Sequence, residues 1–163
     1  MKNKQLTLGF FAGALYFIWK MIVLSQGKQH EWLVSFPAAP LLGLVGVAIF
    51  LSITQLTPKG NPFPEDFKAG ARTALVAGLT AGVFVFIYYN FFDPEFLPIR
   101  VQEQVDAARA IGETPENLKK GEENMRNFFS PFWFSTFTIS GVAFFGMAFS
   151  LILSALKRAF NVL

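Results

Sequence analysis

Residues 70–92 read GARTALVAGLTAGVFVFIYYNFF, an unbroken apolar stretch whose one charge, Arg72, stands near its start. At a rise of about 1.5 Å per residue, roughly 20 such residues cross a hydrocarbon core of about 30 Å. The stretch is apolar on every face rather than alternating, which is the pattern of a spanning helix and not of a barrel strand. Three more blocks share its character: Leu6–Ser25, Phe36–Leu56 and Phe132–Leu156. The fold class expected is all-α, an integral membrane four-helix bundle. It forms a single four-span domain over residues 1–163, with spans about 6–25, 36–56, 70–92 and 132–156.

Composition points the same way. Of 163 residues, 53% are hydrophobic, 21 are phenylalanine and only 15% are charged, whereas a soluble domain carries about 25% charge. A soluble enzyme, a nucleic-acid reader and a disordered tail are excluded on this balance. Cysteine is absent, and with it disulfides, thiolate metal sites and cysteine nucleophiles. The opening Met1-Lys2-Asn3-Lys4 resembles a signal peptide, but no small-residue cleavage site follows the long apolar run, so a retained first helix is expected.

Proline marks the element starts, because at the first helical turn its missing N–H costs nothing and its fixed φ already suits the helix. Ser130-Pro131 opens the fourth span. Asp93-Pro94 and Thr114-Pro115, with Glu95 and Glu116 behind them, repeat this grammar and predict two short helices after the third span. Leu97, Val101, Val105 and Ala108 make an apolar stripe on the first of these, and Leu118, Met125 and Phe129 a weaker one on the second. Gly112 divides them. An amphipathic helical hairpin over about 94–127 is expected outside the bilayer, its apolar edge on the membrane surface or on the mouth of the bundle. The segment Thr57–Ala69, with Pro58, Gly60, Pro62 and Pro64, reads as a stiff, compact loop.

Charge sets the orientation. Lys2, Lys4, Lys59, Lys68, Arg72, Lys157 and Arg158 gather on the side of the termini against Glu65 and Asp66, a net of +5. From Asp93 to Asn127 eight acids face five bases, a net of −3. The positive-inside bias therefore predicts cytoplasmic N- and C-termini and an extracytoplasmic hairpin.

Few residues suggest chemistry. With Arg72 counted among the bases at the inner end of the third span, Lys20 is read as the only charge inside a span. It could snorkel to the interface as an anchor beside Tyr16, Trp19 and Trp32, or form an intramembrane polar site facing Asp93 or Glu31. Asn90, beside Tyr88 and Tyr89, joins Asp93 in a polar cluster at the outer end of span three. The candidate site is therefore Lys20, Asn90 and Asp93. His30-Glu31 reads as a solvated loop pair. With a single histidine and no HExxH, GxSxG or paired intramembrane carboxylates, no catalytic residue, metal site or cofactor is expected. Gly70, Ala74, Gly78 and Gly82 recur every fourth residue as a ridge for close helix approach, as do Gly9 with Gly13, and Gly146 with Ser150 and Ser154. The phenylalanines read as lipid-facing filler rather than as the lining of a lipid groove.

Four short motifs carry a family resemblance: Phe67-Lys68-Ala69-Gly70 opening span three, Asp93-Pro94-Glu95-Phe96 leaving it, Pro131-Phe132 entering span four, and the basic Lys157-Arg158. In these, and in its layout, the chain resembles domain-of-unknown-function family 4199, small four-span bacterial membrane proteins. The resemblance implies an inner-membrane location in Gram-negative bacteria and, through neighbouring genes, a membrane glycosyltransferase as a possible partner. It brings no catalytic or binding residues. The function expected is a non-enzymatic accessory or assembly protein, acting through helix packing and its outer hairpin on membrane lipid, a membrane protein partner or a second copy. The alternative is an oligomeric small-molecule or lipid carrier.

Overall fold

The computed structural model describes residues 2–28 and 38–160. Within them the chain is all helical: α1 (Lys2–Ser25), α2 (Ala38–Gln55), α3 (Phe63–Ile87), α4 (Phe96–Ala110), α5 (Pro115–Phe128) and α6 (Pro131–Phe160). Three segments are long and apolar enough to cross a membrane: Asn3–Ser25, Phe63–Phe92 and Pro131–Ala159. The apolar part of α2, Ala39–Gln55, is shorter, and the start predicted for it at Phe36 lies outside the described residues.

α3 is the centre of the packing, with α6 and α1 as its most extensive partners and α2 touching all three. Its sequence explains this, because two rows of small side chains run along it. Gly70, Ala74, Gly78 and Gly82 meet α6: a Cβ on Gly70 would strike Ser150, and one on Gly78 would come 3.3 Å from Val142. Ala69, Thr73, Ala77 and Ala81 form the second buried row, on the side of α1, where Gly9 and Gly13 lie against Thr73, Val76 and Thr80. Such rows let backbones approach closely, and packing is the main attraction between helices in lipid. Ser135 adds a direct tie, its hydroxyl donating to the Gly82 carbonyl at 2.8 Å.

Two predicted boundaries move. The third apolar helix begins at Phe63 rather than Gly70, so most of the predicted loop 57–69 is helix. Pro62 is its N-cap, Pro64 sits in the first turn, and Glu65 and Asp66 place acid at the positive end of the helix dipole. α4 begins at Phe96 with Glu95 as N-cap, not at Pro94. Pro98 accounts for this, since it lacks an N–H and fits only within a first turn. Thr114 caps α5 as its sequence predicts, its hydroxyl accepting the Asn117 N–H. α4 and α5 contact each other, and α5 makes little contact with α6.

Candidate functional site

The bases and acids buried within the apolar helices fall into two clusters. The first surrounds Lys20. It lies on the helical face already marked by Gly9, Gly13 and Tyr16, and that face turns toward α3. Lys20 is therefore only 4% exposed and does not snorkel. Its ammonium donates to the Tyr89 hydroxyl at 3.1 Å and lies 4.4 Å from the Tyr88 ring centre and 5.3 Å from that of Phe96, contacts in which the ring faces stabilise a desolvated cation. Phe96 carries Arg100 at 5.1 Å as well. No room for a water molecule remains between Lys20, Tyr16 and Phe84.

Tyr88 and Tyr89 reach this cluster through a π-helical turn, Tyr88–Phe92, that ends α3. It is closed by the Asp93 N–H on the Tyr88 carbonyl at 3.0 Å. Such turns insert a residue and re-aim the side chains that follow. Here both tyrosines turn inward, and the Tyr88 hydroxyl donates to Asp93 Oδ2 at 3.3 Å. Asp93 is thus linked to Lys20 through Tyr88, with no direct bond between them. Asn90 is not brought in: it is exposed, its amide donating to the Phe86 carbonyl at 2.7 Å within its own turn. His30 and Glu31 lie outside the described residues.

The second cluster was not visible as one in the sequence, and it corrects the expectation that Lys20 is the only charge within a span. Asp66 in the first turn of α3 and Lys157 in the last turn of α6 are 2% and 7% exposed, with Lys157 Nζ 3.1 Å from Asp66 Oδ1. The ammonium also donates to Thr57 Oγ1 at 2.8 Å and to the Ile53 carbonyl at 3.0 Å, so each of its three N–H groups has an acceptor. Each charge sits at the helix end whose dipole favours it. Two turns deeper, Thr73 Oγ1 lies 3.0 Å from Ser52 Oγ and 3.1 Å from the Ala69 carbonyl. Gln5 Oε1 and Ser154 Oγ are buried without a partner among the described residues. A signal for Lys157 was present, because Gly146, Ser150, Ser154 and Lys157 share one helical face.

Among the described residues no three of His, Asp or Glu are gathered together. What the two clusters do is join α1 to α3 and α4, and α3 to α2 and α6.

The family model described as "Protein of unknown function (DUF4199)" matches residues 7–159. The chain belongs to this family. The match covers both clusters and every helix from the first to the last, as the four short motifs implied. No curated protein and no solved structure matches the chain.

Proposed function

We infer that this chain is a four-span bacterial inner-membrane protein, non-enzymatic, serving as an accessory or assembly partner through α4 and α5. α2 is taken as the fourth span. Its Leu41, Val45, Ile49 and Ile53 are buried in the packing while Val47 and Phe50 face outward among apolar neighbours, the division of surface a lipid-facing helix needs. The two charge clusters suit the two interfaces. From Asp66 to Tyr88 is 22 residues of helix, about 33 Å at the α-helical rise and close to one hydrocarbon thickness. The Asp66–Lys157 end lies with the excess of bases and is cytoplasmic on the positive-inside bias, which puts α4 and α5 outside as a hairpin.

The observation that carries the functional reading is α5. No residue of it is fully buried, and its charges pair along the helix, Lys120 with Glu116 and Arg126 with Glu122. Its apolar edge, Leu118 and Met125, lines an open cleft against Val105 and Ala108. A helix that contributes this little to its own fold is suited to contact something else. A carrier gated by Lys20 finds less support, since the space between Lys20, Tyr16 and Phe84 does not admit water and Asn90 turns away.

Native mass spectrometry of the protein extracted gently from its own membranes tests this. A heteromeric complex of fixed stoichiometry is expected, weakened by the double change Leu118→Ser and Met125→Ser. The membrane glycosyltransferase implied by the family resemblance is the first partner to seek. Recovery of monomer alone, or a complex indifferent to the α5 changes, would overturn it.

A further inference from the structure

A groove of about 350 Å³ runs between α2 and α6 over a floor made by Tyr16 of α1. Leu42, Phe137, Gly141 and Phe145 form its apolar walls, and Thr138 and Tyr16 supply its polar atoms. The volume is at the small end of ligand pockets, which run from about 300 to 1,000 Å³, so it suits a single hydrocarbon chain and not a whole lipid. Gly141 opens it: a Cβ there would meet nothing within 4 Å. Tyr16 is 2% exposed, and the surface it does show lines this groove. The Thr138 hydroxyl donates to the Phe134 carbonyl at 2.9 Å and keeps its lone pairs.

The position of the groove identifies what fills it. Tyr16 is one helical turn below Lys20, and Lys20 is level with Tyr88 and Tyr89, where the membrane frame given above puts the outer interface. The groove is lined at the level of that interface by Phe128 and by Phe134, which packs on Tyr89, and it runs inward past Tyr16 and Gly141 to Phe145. Ester carbonyls of bilayer lipids lie at the top of such a slot and their acyl chains along it. We propose that the α2–α6 groove holds one acyl chain of an outer-leaflet phospholipid, its ester carbonyl accepting from the Tyr16 hydroxyl. The site rests on the membrane frame but not on the accessory role, and it would serve a protein with any partner.

The test uses the whole protein, delipidated in mild detergent and titrated with palmitoyl-oleoyl phosphatidylglycerol under native mass spectrometry. One retained phospholipid per chain is expected. Gly141→Leu fills the slot and should lower retention about tenfold, the loss of some 1.4 kcal/mol of apolar contact. Gly43→Leu adds the same side chain on α2, where nothing lies within 4 Å and outside the groove lining, and should change nothing. Tyr16→Phe should weaken retention while leaving the stoichiometry at one. Equal retention by wild type and Gly141→Leu overturns the site, as does preferential capture of free fatty acid over phospholipid. Should Gly141→Leu fail to fold, a phospholipid with a photoreactive acyl chain labels the wild-type protein instead. Adducts at 137–145 support the site, and adducts confined to other lipid-facing segments overturn it.

Discussion

Lys157 Nζ and Asp66 Oδ1 stand 3.1 Å apart in the interior, fastening the last turn of α6 to the first turn of α3. Removing either partner strands a buried charge. Asp66→Ala or Lys157→Met should each cost about 3–5 kcal/mol, while Asp66→Leu combined with Lys157→Leu should cost clearly less than either single change. Thermal unfolding of the four proteins in one detergent reads the difference. Additive losses would mean that the two charges act independently.

The glycines of α1 should be as sensitive as any buried group. A methyl on Gly13 would come 2.7 Å from Thr80 Cβ and 2.9 Å from the Ala81 nitrogen, so α1 must back away from α3. Gly13→Ala is expected to cost about 1–3 kcal/mol, the usual range for overpacking. Gly43→Ala, with open space around it, should stay within about 0.5 kcal/mol of wild type. Melting temperatures of the purified variants decide this.

Lysine acylation offers a check that needs no variant. Lys20 and Lys157 are shut into the packing, whereas Lys59 and Lys120 are exposed. A water-soluble N-hydroxysuccinimide ester should modify Lys59 and Lys120 in detergent-solubilised native protein and spare the two buried amines until the protein is unfolded. Peptide mapping would show it, and prompt modification of Lys20 would mean that it reaches solvent after all.

Sidedness can be read from single cysteines, since the chain has none of its own. With an impermeant maleimide applied from outside the membrane, Lys120→Cys should react and Lys59→Cys should not until the bilayer is opened. The reverse order would invert the topology and move the proposed lipid groove to the other leaflet.

Much of the helical layout was legible because its signals are local. Apolar length gave α1, α3 and α6, Thr114-Pro115 fixed the start of α5, and the four-residue spacing from Gly70 to Gly82 named the row that meets α6. The misses have equally physical causes. A charge at the end of an apolar run looks solvated when only its neighbours are counted, and Asp66 and Lys157 are 91 residues apart, so no local pattern joins them. The shared face of Gly146, Ser150, Ser154 and Lys157 was the available clue. Gly9, Gly13, Tyr16 and Lys20 gave the same clue for a buried Lys20. The π-helical turn at Tyr88–Phe92 sets Tyr88 and Tyr89 against Lys20 of α1 and Phe96 of α4, and without it Asn90 could not be told apart from its two tyrosine neighbours.

The separation of Asp66 and Lys157 also has a meaning for biosynthesis. α3 leaves the ribosome long before α6, so Asp66 waits at the edge of the bilayer without its counter-charge until 91 further residues have been made. Until then the chain carries an acid without its counter-charge at the head of an apolar helix, a mark that tells an undocked α6 from a docked one. Arrival of Lys157 hides the acid, the lysine and the open face of α3 together, so that a single late contact reports that α6 has docked.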